Sequence, residues 1–149
     1  MRAIIFQKNN ILLVRSNKGD YKFPGGGVEG NESHSECLIR ELAEETGYIN
    51  CSIKDKLGSV IEKKLDEFDN NALFQMTSHY YLCELINDER IAQQLDNYEL
   101  AQEFTPEWVS INDAIGQNEK VMNSLGSEKN SWIKREIFVL KELKNKLRL

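Results

Sequence analysis

Short apolar runs separated by polar breaks make up the first third and the middle of the chain. The runs predicted to be strands, because their apolar positions alternate or lie between turn residues, are residues 3–7, 11–15, 48–53, 57–63, 73–85 and 108–111. The polar break at residues 8–10 predicts a hairpin turn between the first two strands. Residues 66–72 are predicted to be a polar connection, and residues 87–103 a loop with some helix.

Two segments have helical spacing instead. Residues 34–46 contain no glycine or proline, and they are preceded by Ser33 and followed by Gly47. Ser33 and Glu36 match a capping box, and glycine is common after a helix because it adopts left-handed backbone angles at little cost. Residues 131–147 repeat apolar positions every three or four residues beside a basic face, which predicts a C-terminal amphipathic helix packed on the sheet. A membrane surface or a partner is the alternative for that basic face.

Strands interrupted by helices indicate an α/β or α+β architecture. A short helix is also expected to begin near Asn112, directly after the last predicted strand. The chain has 149 residues, enough for one domain with its own hydrophobic core. No linker, repeat or low-complexity tract divides the sequence, so residues 1–149 are predicted to form a single domain.

Composition and charge exclude several classes of protein. Hydrophobic residues make up 40% of the chain and charged residues 29%, and no apolar run approaches the ~18 residues that a membrane span requires. The formal net charge of −5 lacks the basic footprint of proteins that bind long nucleic acids. Cys37, Cys51 and Cys83 are odd in number and show no Cys-x-x-Cys spacing, which indicates reduced thiols and a cytoplasmic protein. The sequence leaves the oligomeric state open, and a homodimer is compatible with it.

The predicted helix over residues 34–46 concentrates negative charge. Glu41, Glu44 and Glu45 fall within an arc of roughly 100° on this helix. The apolar stripe that would dock the helix on a core adjoins that arc and consists of Leu38, Ile39 and Leu42. Carboxylates at this spacing repel one another, and a hard cation such as Mg²⁺, or Mn²⁺ in its place, removes the repulsion. Glu44 and Glu45 are the pair expected to bind the cation directly, and a solvated acidic face is the alternative.

The segment before this helix is rich in glycine. Pro24 restricts the backbone at Phe23, while Gly25, Gly26 and Gly27 allow a ligand to approach the main chain closely. A carbonyl oxygen in such a loop can complete the oxygen shell of a cation. The alternative is a plain tight turn between strand and helix. The loop is not a P-loop, because no Gly-Lys-Ser/Thr follows it.

Residues 26–48 resemble the Nudix box, in which glycine, arginine and several glutamates recur at fixed spacing. The matching positions are Gly26, Glu32, Arg40, Glu41, Leu42, Glu44, Glu45 and Gly47, and Tyr48 stands where an aliphatic residue is usual. The chain is therefore similar to the MutT/Nudix hydrolase family. The resemblance implies an α/β/α sandwich with a mixed β-sheet, and Mg²⁺-dependent hydrolysis of a nucleoside diphosphate linked to another group.

The resemblance also implies roles for residues of the box. The Gly25 carbonyl would join the glutamates as a metal ligand, and Glu41 would hold a further metal or act as the general base. Arg40 would orient a catalytic glutamate through a charge-assisted hydrogen bond. A surface ion pair with Glu36 and Glu44 is the default alternative for that arginine.

Some members of the family recruit a glutamate from beyond the box. Glu99 and Glu103 precede Trp108 and are the candidates here. Glu103 is favoured, as base or metal ligand, because it lies closer in sequence to the strand that is expected to return to the site.

The substrate is expected to be a small nucleotide. The marker residues of ADP-sugar and diadenosine-polyphosphate hydrolases, a proline and a tyrosine, are absent from the region that holds Lys63, Lys64 and Leu65. A nucleoside triphosphate pyrophosphohydrolase of the MutT type is therefore favoured over ADP-sugar, dinucleotide or RNA-end substrates. A nucleotide-sensing module without activity is a further alternative, disfavoured because all three box carboxylates are present. Tyr21 and residues 66–75 are expected to line the base pocket.

Overall fold

The computed structural model describes residues 1–65 and 73–147. Its strands are β1 (Arg2–Gln7), β2 (Asn10–Arg15), β3 (Tyr21–Lys22), β4 (Cys51–Leu65), β5 (Leu73–Leu85) and β6 (Thr105–Val109). Its helices are α1 (His34–Thr46), α2 (Asn97–Ala101), α3 (Ile111–Leu125) and α4 (Ile133–Leu147), with a 3₁₀ turn at Gly126–Glu128. The hairpin predicted at the start of the chain and the helix predicted over residues 34–46 are confirmed. The connection predicted at residues 66–72 lies outside the described residues.

The strands form one mixed sheet, as the resemblance implies. β1 runs parallel to β5, and the other pairs are antiparallel. One edge of β2 pairs with β6, while its other edge pairs first with β1 and then with β3. The chain passes from β3 directly into the glycine loop, where the Pro24 carbonyl accepts a hydrogen bond from the Ala3 amide at 2.8 Å. The loop is therefore attached to β1, the middle strand of the sheet.

Successive side chains of the central strands face two separate cores, because each step along a strand reverses the side-chain direction. The core shared with α1 contains Ala3, Ile5, Leu12, Leu38 and Leu42. The core shared with α3 and α4 contains Ile4, Ile11, Leu13, Ile115 and Leu140. Helices thus cover both faces of the sheet, and the implied α/β/α sandwich is confirmed.

Three elements differ from their predicted bounds. The strand predicted over residues 108–111 is β6, which covers Thr105–Val109, while Ile111 begins α3. The two short strands predicted within residues 48–63 are parts of the single strand β4, which pairs with β5 along most of its length. Register shifts between Ile53 and Gly58 absorb the irregular alternation that separates the two segments in the sequence. The helix predicted to be short near Asn112 continues through Ile111–Leu125, because its buried residues keep recurring at helical spacing.

Helix α4 packs on the sheet, as its amphipathic pattern predicts. Ile133, Ile137 and Leu140 are buried. Arg135, whose spacing places it on the solvated basic face, is instead buried and paired with Glu136 at 2.7 Å. Within the described ranges, no helix combines the length and the hydrophobicity needed to cross a membrane.

Candidate active site

Local interactions set both ends of α1. The Ser33 hydroxyl accepts a hydrogen bond from the Glu36 amide at 3.1 Å, and the Glu36 carboxylate accepts one from the Ser33 amide at 3.2 Å. The predicted capping box is confirmed, and it occupies Glu36, which therefore is not the partner of Arg40. Gly47 follows the helix with a φ of 85°. A side chain there would overlap the Ile91 carbonyl, so the position requires glycine.

The buried arc of α1 includes Glu41 and Glu45, although the sequence pattern predicts these carboxylates at the edge of the apolar stripe. The buried residues of the helix are Cys37, Leu38, Glu41, Leu42, Glu45 and Thr46. At 100° per residue, Glu45 lies near the centre of this arc, and it is fully buried. Ile39, predicted to belong to the apolar stripe, is 41% exposed, because it lies just beyond the end of the arc. The helix therefore turns two of its three clustered carboxylates toward the interior.

A buried lysine accompanies Glu45. Lys22 Nζ donates to Glu45 Oε2 at 2.6 Å, and the Gly25 amide donates to Glu45 Oε1 at 2.7 Å. Lys22 is 5% exposed, and its ammonium lies 5.1 Å from the centre of the Phe104 ring, a cation–π geometry. Sequence reasoning missed this residue, because lysine is rarely buried and nothing in its spacing marks it.

Arg40 donates hydrogen bonds to the other three acidic side chains of the box, Glu32, Glu41 and Glu44. Its guanidinium donates to Glu32 at 2.6 and 2.9 Å, to Glu41 at 2.9 Å and to Glu44 at 3.2 Å. It also donates to the Gly27 carbonyl at 3.1 Å, which ties the helix to the glycine loop. The hydrogen bonds from Arg40 hold the pKa of Glu32 down at about 2. The guanidinium therefore fixes the orientation of two clustered glutamates at once.

The chain after β5 returns to the C-terminal end of α1. The Gln94 amide donates to the Glu44 carbonyl at 2.8 Å. The Gln93 side chain donates to the Glu45 carbonyl at 2.6 Å and to the Phe104 carbonyl at 3.0 Å. The bonds to Glu44 and Glu45 satisfy carbonyl groups that the end of α1 leaves without partners. They also attach the segment that carries α2 to the box helix, a contact that sequence reasoning missed.

Glu99 is the carboxylate that this segment brings to the box. It is the third residue of α2, where it accepts a hydrogen bond from the Asp96 amide at 2.9 Å. One oxygen from each of Glu41, Glu45 and Glu99 lies within 4.8 Å of the other two. Glu103, favoured from its place in the sequence, is exposed and has a left-handed backbone with a φ of 55°. The structure therefore brings Glu99, and not Glu103, to the box carboxylates.

An open cleft of about 580 Å³ lies over these groups. The residues that line it are Gly25, Gly26, Gly27, Val28, Glu29, Glu41, Glu44, Gln94, Leu95, Asp96 and Glu99. Burial, and after it the charge of Glu45, raises the pKa of Glu41, and burial is also the largest cause that raises the pKa of Glu99. Acidic oxygens that crowd together in this way are the ligand set that a hard divalent cation prefers.

Two other expectations concern the surroundings of this cleft. Tyr21, expected in a base pocket, is buried in the core shared with α3 and α4, and its hydroxyl donates to Glu107 at 2.7 Å. It packs inward because β3, the strand beside β2 in the sheet, contacts both α3 and α4. Residues 66–72 of the same expected pocket lie outside the described residues. The Gly25 carbonyl, expected among the metal ligands, accepts a hydrogen bond from Arg2 Nη1 at 3.0 Å.

A family model for the NUDIX domain matches residues 1–127. The chain belongs to the Nudix family. An ADP-ribose pyrophosphatase of Methanocaldococcus jannaschii is 42% identical to this Nudix protein over 60 residues, which are 38% of this chain and 35% of the relative. Nudix hydrolase 25 of Arabidopsis thaliana is 27% identical over 116 residues, or 70% of this chain and 66% of the relative. A putative 8-oxo-dGTP diphosphatase of Bacillus subtilis is 39% identical over 56 residues, 37% of each chain. The Nudix protein thus spans only part of each of these relatives.

Solved structures share the fold of this Nudix protein. A NUDIX hydrolase from Nitrosomonas europaea has a TM-score of 0.60 at 20% identity, covering 79% of this chain and 75% of that one. An ADP-ribose pyrophosphatase from Streptococcus suis has a TM-score of 0.53 at 25% identity, covering 87% and 90%. An Ap4A hydrolase from C. elegans has a TM-score of 0.55 at 18% identity, covering 99% and 96%.

Proposed function

We propose that this Nudix protein is a pyrophosphohydrolase that cleaves the diphosphate linkage of a small nucleotide, with Mg²⁺ or Mn²⁺ at the box carboxylates. The observation that carries the proposal is the convergence of Glu41, Glu45 and Glu99 within 4.8 Å of one another. The glycine loop lines the cleft above them and lets phosphate groups approach the main chain. In the reaction, water adds to one phosphorus atom, the P–O–P bridge breaks, and the second phosphate group leaves.

The residues of the site fit a hard cation. Mg²⁺ prefers oxygen ligands and is usually held by one or two carboxylates, waters and substrate phosphates. Glu41 and Glu45 would hold it, and Glu44, on the wall of the same cleft, would supply a further oxygen. When bound, such a cation neutralises the diphosphate and lowers the pKa of a coordinated water.

Glu99 is assigned the removal of a proton from the attacking water. Glu41 accepts a hydrogen bond from the Arg40 guanidinium at 2.9 Å, and a cation at that distance weakens the affinity of a carboxylate for a proton. Burial raises the pKa of both Glu41 and Glu99, but Glu99 has no ion pair within the part of the chain that the structure describes. A carboxylate with a raised pKa accepts a proton more effectively near neutral pH. Arg40 then serves to orient Glu41.

A second cleft, of about 400 Å³, offers room for the nucleoside. The residues that line it are Arg2, Glu62, Lys63, Phe74, Met76, Ser131, Trp132 and Arg135. Arg2 connects it to the first cleft, because its guanidinium donates to the carbonyl of Gly25, which lines that cleft. The indole of Trp132 can stack on a base, and a guanidinium can pair with a phosphate group. A substrate whose base lies in this cleft and whose phosphates extend past Arg2 would reach the carboxylates.

A nucleoside triphosphate is the favoured substrate, converted to a nucleoside monophosphate and pyrophosphate. The relative named as a putative 8-oxo-dGTP diphosphatase supports this, as does the absence of the ADP-sugar marker. ADP-ribose is the second candidate, because proteins named ADP-ribose pyrophosphatase match this chain both by sequence and by structure.

The test is a panel of substrates incubated with the purified protein and millimolar Mg²⁺, with the products separated by chromatography. The panel contains dGTP, 8-oxo-dGTP, ATP, ADP-ribose and a dinucleoside polyphosphate. Release of a monophosphate and pyrophosphate supports the favoured substrate, and release of AMP and ribose 5-phosphate supports the second. Glu44→Gln serves as the control for contaminating phosphatases and is expected to lose about 10²-fold or more of the activity, about 2.7 kcal/mol of transition-state stabilisation.

Three results would contradict the proposal. Activity that persists unchanged in Glu44→Gln would come from a contaminant or from another site. Turnover that continues in excess chelator would remove the role of the cation. Tight nucleotide binding without turnover of any substrate would favour the sensing module instead.

A further inference from the structure

Lys22 is a cation inside a site that is proposed to bind another cation. Its side chain and that of Glu45 are 6% and 0% exposed, and their charged atoms are 2.6 Å apart. A buried carboxylate without a compensating charge is strongly unfavourable. Arg40, the other cation of the site, has its ion pairs with Glu29, Glu32, Glu41 and Glu44. Among the described ion pairs, the charge of Glu45 is therefore compensated by Lys22.

We propose that Lys22 is a positioning residue that acts as an internal counter-ion: it holds Glu45 in place while the site is empty and shares that carboxylate with the divalent cation once the cation binds. The inference rests on the proposed metal site. Both oxygens of Glu45 are already fixed, one by Lys22 and the other by the Gly25 amide. The carboxylate is thus held beside Glu41 and Glu99, and each oxygen keeps a lone pair for a metal.

The charge of Lys22 has two opposing consequences. Without a metal, the ammonium compensates Glu45, so its removal should lower the stability of the protein. With a metal, the ammonium repels the incoming cation, so its removal should tighten cation binding by about tenfold or more. A lysine with only a structural role would lower stability equally with and without the metal. The opposing signs therefore separate the two roles.

The experiment measures thermal unfolding of Lys22→Met and Lys22→Gln in excess chelator and across a Mg²⁺ titration. Both variants are expected to melt below the wild type in chelator and to approach it as Mg²⁺ rises, with an apparent Mg²⁺ dissociation constant about tenfold lower. Lys22→Arg keeps the charge and should restore the behaviour of the wild type. Lys54→Met is the matched control, because Lys54 forms a surface pair with Glu84 at 3.8 Å and is 48% exposed.

Several outcomes would overturn the inference. A melting difference that stays constant across the Mg²⁺ titration would leave Lys22 with a structural role only. Failure of both variants to fold at saturating Mg²⁺ would show that the divalent cation cannot replace the ammonium. If the wild type itself shows no response to Mg²⁺, the proposed metal site fails along with the inference. If the wild type and the Lys22 variants respond to Mg²⁺ with the same apparent dissociation constant, the inference is wrong and the proposed function still stands.

Discussion

At the scale of single residues, the acidic side chains of the site differ in their partners. Glu45 is paired with a buried lysine, and Glu41 and Glu44 share Arg40. Glu99 has no ion pair among the described residues, although it belongs to the same group of oxygens. A carboxylate held by a cation is a weaker base than one that is not. For that reason we expect Glu99, rather than Glu41, to take the proton from water.

Glu99→Gln is expected to lower kcat by about 10²- to 10⁴-fold with a much smaller change in KM, the usual cost of losing a general base. The amide oxygen of glutamine can still accept the hydrogen bond from Asp96, so α2 should remain folded. Glu103→Gln is the matched control and should retain the wild-type rate, because Glu103 is exposed and does not line the cleft. Rates measured on one good substrate decide between them. A large loss in Glu103→Gln with full activity in Glu99→Gln would reverse the assignment.

Gly26→Ala should reduce activity while leaving the fold intact. A β-carbon at Gly26 would overlap the carboxylate of Glu41, which is the flexible end of a side chain and would be pushed aside. Displacement of a catalytic group by a fraction of an ångström is expected to lower kcat/KM by about tenfold or more. Gly116→Ala is the control, because a β-carbon there meets nothing within 4 Å and Gly116 lies on α3, outside the cleft. Equal activities in the two variants would show that the position of Glu41 does not matter.

The residue scale also shows what the sequence can and cannot predict about the site. The fixed spacing of the box brought Glu41, Glu44 and Glu45 together on one helix, because neighbours on a helix follow from spacing alone. The partner of Glu45 could not be found in this way, since Lys22 lies on a different element and lysine is usually solvated. Distance along the chain likewise favoured Glu103, but α2 folds so that Glu99 reaches the cleft.

At the scale of elements, α1 was predictable because its ends depend on local interactions. The capping box of Ser33 and the left-handed conformation of Gly47 involve only neighbouring residues. The return segment depends instead on contacts with α1, from which it is far in sequence. The side-chain amide of Gln93 donates hydrogen bonds to the carbonyls of Glu45 and Phe104, and no local sequence pattern predicts these bonds.

Gln93→Ala is therefore expected to loosen the attachment of α2 to α1. The change removes two hydrogen bonds and leaves two partly buried carbonyls unsatisfied, which should cost about 1–3 kcal/mol of the free energy of unfolding. Urea denaturation measures this cost, and kcat should fall as well, because Glu99 follows on the same segment. Gln94→Ala is the control for stability, since Gln94 bonds α1 through its backbone amide, which the substitution keeps. Equal stability of the two variants would show that the Gln93 bridge is not a significant attachment.

At the scale of the whole molecule, the sheet fixes the parts of the site relative to one another. The glycine loop is bonded to β1, and α1 packs on the same strand through Leu38 and Leu42. The continuous apolar runs of β1 and β2, separated by a polar turn, were enough to predict two strands there. The position of the cleft between the loop, α1 and α2 depends on contacts across the fold, which no local pattern contains.

The proposed metal site leads us to expect that the stability of the whole molecule depends on divalent cations. The cluster exists only in the folded chain, so a bound cation stabilises the fold, by about 2.7 kcal/mol when its concentration is 100 times the dissociation constant. For a chain of this size, that gain corresponds to a rise in Tm of about 5–10 °C. Thermal unfolding in chelator and in saturating Mg²⁺ measures the shift directly. Glu41→Gln should reduce the shift, because it removes one ligand of the cation. It should not lower the Tm in chelator, because it also removes a charge that repels Glu45, and burial already raises the pKa of the Glu41 carboxyl group. An unchanged shift in this variant would show that the cation binds away from the Glu41 carboxylate.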